Sequence, residues 1–144
     1  MSEQNTGGGA AHDPEPRSAA DGLSARQKED FLAEPTRRFD LNEEIESLRH
    51  DIGWTRNGHS ARTLVKQEGL RVVLISLARG ARMGEHKADA PVTIQTVAGS
   101  VRLWLGERAI ALPLGGLLLL ERALPHDVEA VEESAILLTV AWPG

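Results

Sequence analysis

From Ala61 onward the chain is divided into short apolar runs of two-residue period, each closed by glycine, proline or charged residues. This pattern limits the fold more than any other feature. The spacing predicts a short strand over Thr63–Lys66 and a longer one over Leu70–Ala78, whose β-branched residues suit a pleated sheet. Gly80 and Gly84 bracket a turn-rich approach to His86. Pro91–Ala98 then reads as a strand, its proline tolerable only at the start. Gly99 turns the chain into Val101–Leu105, where Val101, Leu103 and Leu105 face one way and Arg102 and Trp104 the other. Gly106 and Glu107 make a two-residue hairpin turn into Arg108–Leu112. Pro113, Gly115 and Gly116 end that strand, and Leu117–Leu120 is expected to be a buried one. A loop over Glu121–Pro125 delivers His126, His126–Ala130 is the next strand, and Ser134–Trp142 closes the sheet. Roughly eight or nine strands at this spacing indicate a closed sandwich or barrel and not an α/β fold.

Before Ala61 the period is helical. Asp40 is placed to cap a helix with Glu43 three residues on, and Leu41, Ile45 and Leu48 share one face. Acidic residues early (Glu43, Glu44, Glu46) and Arg49 and His50 late suit the helix dipole, and Gly53 is the expected stop. The acidic cluster reads as a solvated helix face, not as catalytic carboxylates. An earlier, weaker helix has capping-box spacing at Ser24 and Gln27, a stripe of Leu23, Gln27 and Phe31, and a stop at Pro35. Met1–Gly22 is rich in Gly, Ala, Ser, Pro and acidic side chains and is expected to be disordered. Met1–Asp30 holds six acidic against three basic residues, so this region carries three of the chain's five net negative charges. The expected organisation is a tail over 1–22, a helical extension over 23–60 and a β-barrel domain over 61–144.

Composition excludes several functions. With 3% aromatic residues and a formal net charge of −5, the chain lacks the stacking platforms and basic groove that single-stranded nucleic acid requires. It has no cysteine, so neither disulfides nor thiolate metal sites are available, which fits a reducing compartment. Met1–Ala20 has no basic start followed by an apolar run, as a secretory signal would. The longest apolar run singled out, Leu117–Leu120, is far short of the ~20 residues of a membrane-spanning helix. A cytoplasmic protein without nucleic-acid or membrane partners is the reading. No G-x-S-x-G or G-x4-G-K-[ST] motif supplies an activated nucleophile or a phosphate loop.

What remains is a pair of histidines, His86 and His126, each set in a glycine-punctuated β-pattern between Gly80 and Ala130. This stretch resembles the paired motifs of the cupin superfamily, G-x5-H-x-H-x3-4-E-x6-G and G-x5-P-x-G-x2-H-x3-N. Gly80, His86 and Gly99 match the first, with Ala88 in place of its second histidine and Val92 in place of its glutamate. Gly115 and His126 match the second, with Glu121, Ala123 and Ala130 in place of proline, glycine and asparagine. The resemblance covers roughly Thr63–Trp142. It implies an all-β, cupin-type jelly-roll barrel with a short N-terminal helical extension, in which His86 and His126 point into a cavity.

The family's ligand set would be three histidines and a glutamate around a divalent metal. Here His86 and His126 alone are left as metal ligands, for a weakly held Zn, Fe, Mn, Ni or Cu ion. Gln95 has strand parity opposite to Val92, while Glu85, Asp89 and Glu121 lie in loops beside the histidines. His12, His50 and His59 fall outside the motifs. Without a metal, two imidazoles in an aliphatic cavity could bind a carboxylate or phenolate and respond to pH, or act as a base and an acid. The functional expectation is a small-molecule binding or sensing module with a degenerate metal site; the alternative is a metal-dependent dioxygenase or isomerase using His86 and His126. A third class is an interaction role for the tail and helices. Arg71, Arg79, Arg82, Lys87 and Arg102 read first as edge-protecting charge and second as an anion clamp at the barrel mouth. Trp104 and Trp142 are placed for an outer sheet face, and if that face is apolar, a homodimer would cover it, as in many cupins.

Overall fold

The first regular element is helix α1, Leu41–Leu48, in a computed structural model that describes residues 35–141. The Glu43 backbone N–H donates to Asp40 Oδ1 at 3.2 Å, so the expected cap forms, and Ile45 and Leu48 are buried. The tail, the helix near Leu23–Phe31 and Trp142 lie outside the described residues. Gly53 is not the stop: it sits inside a second short helix, α2, Ile52–Asn57, which Gly58 ends at φ 80°. Termination needs a residue that enters the left-handed region cheaply, and Gly58 is the one placed there. Gly53 contributes its small size instead, because a Cβ added to it would stand 3.3 Å from the His59 carbonyl oxygen.

Eight strands follow among the described residues: β1 His59–Gln67, β2 Leu70–Leu77, β3 Val92–Ala98, β4 Ser100–Leu105, β5 Arg108–Pro113, β6 Leu117–Leu120, β7 Asp127–Ala130 and β8 Ser134–Val140. β1 is longer than its pattern suggested and begins at His59. All pairings between strands are antiparallel, in a five-stranded sheet ordered β1-β2-β8-β3-β6 and a three-stranded sheet ordered β5-β4-β7. Two such sheets and two short helices make the all-β class expected from strand spacing and the jelly roll implied by the family resemblance.

The alternation of β3 and β4 shows where the core lies. Val92, Ile94 and Thr96 are buried along β3, Val101 and Leu103 along β4. With Ile75, Leu77, Leu112, Leu120, Val128 and Ile136 they fill the space between the sheets. A smaller cluster of Ile45, Leu48, Leu64, Leu74 and Ala135 packs α1 onto the outer face of the large sheet. Gly99, at φ 73°, makes the β3–β4 turn so tightly that a Cβ there would sit 2.2 Å from the Glu133 carbonyl oxygen. Thr96 ties the sheets together at one corner, its hydroxyl donating to the Leu112 carbonyl at 2.9 Å.

β6 departs from expectation. Its four leucines read as a buried strand, yet only Leu120 is buried, and Leu117 and Leu119 are 64% and 55% exposed. The cause is topological: β6 is the last strand of its sheet, so alternate side chains face solvent. No helix among the described residues is long and apolar enough to cross a membrane.

Candidate functional site

The 14-residue connection between β2 and β3 does not loop freely but runs antiparallel beside β7. Gly80 N–H donates to the Ala130 carbonyl at 2.8 Å, Ala130 N–H to Ala81 at 2.9 Å and Met83 N–H to Val128 at 3.1 Å. The zipper ends in a reciprocal pair, His86 N–H to the His126 carbonyl and His126 N–H to the His86 carbonyl, both 2.9 Å. Directly paired residues project their side chains to the same side of a sheet. The two imidazoles accordingly meet edge to face, with ring centroids 4.3 Å apart and planes at 64°. His126 is buried and His86 exposed, so the pair spans the boundary between interior and solvent.

Both rings are held by the same device. His86 Nδ1 lies 3.0 Å from the Gly84 carbonyl oxygen and His126 Nδ1 lies 2.9 Å from that of Leu124. A carbonyl only accepts, so each Nδ1 carries the hydrogen and, in the neutral ring, each Nε2 is left with a lone pair. Burial holds the His126 imidazole below its ordinary value. The hydrogen bond to Leu124 opposes this shift, and the neighbouring His86 adds to it.

Asp127 braces this arrangement from the other face of β7. Its Oδ1 accepts from Gly84 N–H at 2.9 Å and its Oδ2 from Arg82 Nε at 2.8 Å. The Gly84 peptide thus accepts from the His86 ring on one side and donates to Asp127 on the other. Sequence alone did not single out Asp127. The one local signal was an acid opening a short apolar strand, and its partners lie 43 and 45 residues away.

The positions where the family motif carries further ligands hold side chains with no donor atom. Val92 is 3% exposed within the apolar core, and Ala88 packs against that core. Gln95 alternates to the opposite face from Val92, Ile94 and Thr96. Glu85, Asp89 and Glu121 are exposed, and among the described residues no group of three or more His, Cys, Asp or Glu side chains could hold a metal ion. Two imidazoles supply about half of the donors a tightly retained ion takes, so the residues present do not fit a resident metal of the family's usual kind. The loop before His126 is anchored to the first motif by Ala123 N–H, which donates to the Ala88 carbonyl at 2.7 Å.

The arginines named as a possible anion clamp do not converge on the histidines as a group. Arg82 pairs with Asp127, and Arg102 Nη1 donates to Glu129 Oε1 at 3.3 Å. Trp104 Nε1 donates to the same oxygen at 2.8 Å, and the Arg82 guanidinium lies 5.3 Å from the Trp104 ring centroid. The Trp104 hydrogen bond, ahead of the Arg102 interactions, holds the Glu129 carboxyl below its usual range. The Trp104 side chain is therefore held between Glu129 and the Arg82 guanidinium.

The architecture is a cupin-like fold, and comparison with solved structures shows the same. A conserved protein of unknown function from Streptococcus pyogenes is similar with TM-score 0.61 and 24% identity, over 77% of this chain and 91% of that one. An RmlC-like cupin protein from Desulfovibrio desulfuricans has TM-score 0.56 and 20% identity, over 74% and 89%. Salicylate 1,2-dioxygenase from Pseudoaminobacter salicylatoxidans has TM-score 0.66 and 13% identity, over 73% of this chain but 33% of its own. No protein-family model matches the sequence, and no curated protein matches it.

Proposed function

We propose that this protein is a small-molecule binding or sensing module whose polar handle is the His86–His126 imidazole pair, on a site no longer equipped to retain a metal tightly. One observation carries the reading: on two rings whose centroids are 4.3 Å apart, both Nδ1–H groups are held by carbonyls two residues back, which leaves the lone pair of each Nε2 for a ligand. Such a pair takes ligands of two kinds. A divalent cation can accept both lone pairs, weakly, with water or the ligand's own oxygens completing its shell. A carboxylate or phenolate can bind once the pair takes up a proton, so its affinity rises as pH falls. The reading assigns binding to the barrel over 61–144 and takes the protein as cytoplasmic, supported by its cysteine-free composition.

The test follows the imidazole resonances of the full chain by NMR during titration with ZnCl2 and, separately, with benzoate, over a pH range. The expected result is fast-exchange shifts of His86 and His126 with zinc, and a benzoate affinity that tightens from pH 8 to pH 5. His126→Ala should remove both. Resonances unmoved by either probe would overturn the reading.

A second reading, a metal-dependent dioxygenase or isomerase, draws support from the same two tautomers and from the similarity to salicylate 1,2-dioxygenase. Stoichiometric metal in protein purified without chelator, lost in His126→Ala, would favour it over the degenerate site.

A further inference from the structure

Asn57 and Gly58 form the one Asn-Gly pair in the chain. An asparagine side chain carries its amide carbon within reach of the nitrogen of the next residue, and a glycine there has no Cβ to obstruct the approach. The fold has no freedom to remove this glycine. Gly58 ends α2 at φ 80°, and a Cβ on it would stand 3.2 Å from that of Ala81. The residue that stops the helix is thus the one that leaves Asn57 open to attack.

In the closed fold the attacking nitrogen is engaged, since Gly58 N–H donates to the Trp54 carbonyl at 2.9 Å. That bond has little behind it. α2 has six residues, none of them buried, and its N-cap Asp51 makes no side-chain capping bond, its carboxylate accepting instead from Ser60 Oγ at 3.0 Å. A helix so short is marginal without burial. The Trp54 indole Nε1 is buried without a hydrogen-bond partner among the described residues, which disfavours the closed form further. The Asn57 side chain is exposed and makes no hydrogen bond among the described residues. Breaking one bond in the last turn therefore frees both reacting groups, while β1, which begins at His59, keeps its pairing with β2.

We propose that Asn57 is a self-modification site: it deamidates in the folded protein through opening of the last turn of α2, and the product loosens the neighbouring corner at Ala78. The Gly58 backbone nitrogen bonds to Asn57 Cγ and gives up its proton, the side-chain amide leaves as ammonia, and a cyclic succinimide results. Water then opens the ring at either carbonyl, giving aspartate at position 57 or an isoaspartyl linkage in which the main chain runs through the side chain. Water is the sole co-reactant, and nothing is oxidised or reduced. Both products place a carboxylate at the C-terminal end of α2, where the helix dipole disfavours negative charge, so the open turn gains on the closed one. The isoaspartyl linkage also lengthens the chain beside Gly58. The Gly58 carbonyl accepts from Ala78 N–H at 2.7 Å, directly after β2, where the segment leading to His86 begins.

Nothing in this chemistry involves the histidine pair. The test incubates the full chain at mildly alkaline pH and follows Asn57 by site-resolved mass spectrometry and by isoaspartyl methyltransferase labelling. Asn42, exposed on α1 and followed by Glu43, is the internal control. Asn57 should convert at least about 10-fold faster than Asn42. Its rate in the folded chain, divided by its rate in urea, should equal the open fraction read from hydrogen exchange of the Gly58 amide, because both reactions wait on the same bond. Converted protein should lose protection at the Ala78 amide while the β4 and β5 amides keep theirs. Asn57→Gln, a change at an exposed position, should abolish labelling there and leave Gly58 exchange as it was. An Asn57 that survives as long as Asn42 would overturn the proposal. So would conversion no faster than the exchange of the central β2–β8 amides allows, which would tie it to global unfolding, or full protection of Ala78 after conversion.

Discussion

Ala123 is the one described non-glycine residue with positive φ, at 65°. An L side chain in that region costs about 1–2 kcal/mol, and the position is the one where the second motif carries glycine. Ala123→Gly should therefore stabilise the protein by about 1 kcal/mol after the greater chain entropy of glycine is subtracted, read from the midpoint of urea unfolding. A lower midpoint would mean that the alanine methyl makes a compensating contact. This departure was legible in the sequence as a motif mismatch; its consequence was not, because nothing in the neighbouring residues reports that the backbone keeps the glycine conformation after the glycine is gone. The hydrogen bond from Ala123 N–H to Ala88 explains the retention, since it fixes the peptide at that point in the turn.

At the scale of elements, β7 and the segment zipped to it are what bring the histidines together, and Asp127 is the brace between them. Asp127→Ala would leave Gly84 N–H without an acceptor and Arg82 without its carboxylate. Hydrogen bonds to a charged group contribute about 1.5–3 kcal/mol, so a loss of that order is expected. The informative readout is local: the His86 imidazole resonances should broaden or shift while those of His50, exposed on α1's C-terminal side, stay in place. Asp127→Asn keeps an acceptor for Gly84 and should restore most of the His86 signal but not the Arg82 pair. Local period and glycine placement were enough to locate seven of the strands to within a residue or so, with β1 extended at its start, because each depends on its own run of residues. Edge position is different. β6 and a central strand look alike in sequence when both are continuously apolar, and only the strand order separates them. The Asp127 brace was hidden for the same reason, its partners being distant in the chain.

For the whole molecule, the burial that holds the His126 imidazole down has a definite sign in stability. The folded state binds its proton less readily than the unfolded chain, whose histidine titrates near 6.5, so the unfolded state takes up more protons between the two values. Stability should be complete above 6.5, fall as pH drops toward and through the folded value, and level off below it. Glu129 acts in the same direction over a lower window: its contribution is present above 4.5 and lost as pH falls through its depressed value. Urea unfolding from pH 8 to about pH 2 should resolve the two, with the upper decline absent in His126→Gln, which keeps a polar side chain without a titrating ring, and the lower one retained. A variant as pH-dependent as the wild type between 6.5 and the lower window would move the burden to another group. The same proton serves the proposed ligand. An anion seated against the pair favours the charged ring that the empty fold disfavours, so binding and stability should run in opposite directions with pH, and a saturating carboxylate should flatten the upper decline. That coupling is what a sensor of pH or of an acidic metabolite requires, and it arises from the burial of one ring, against the opposing hydrogen bond to Leu124.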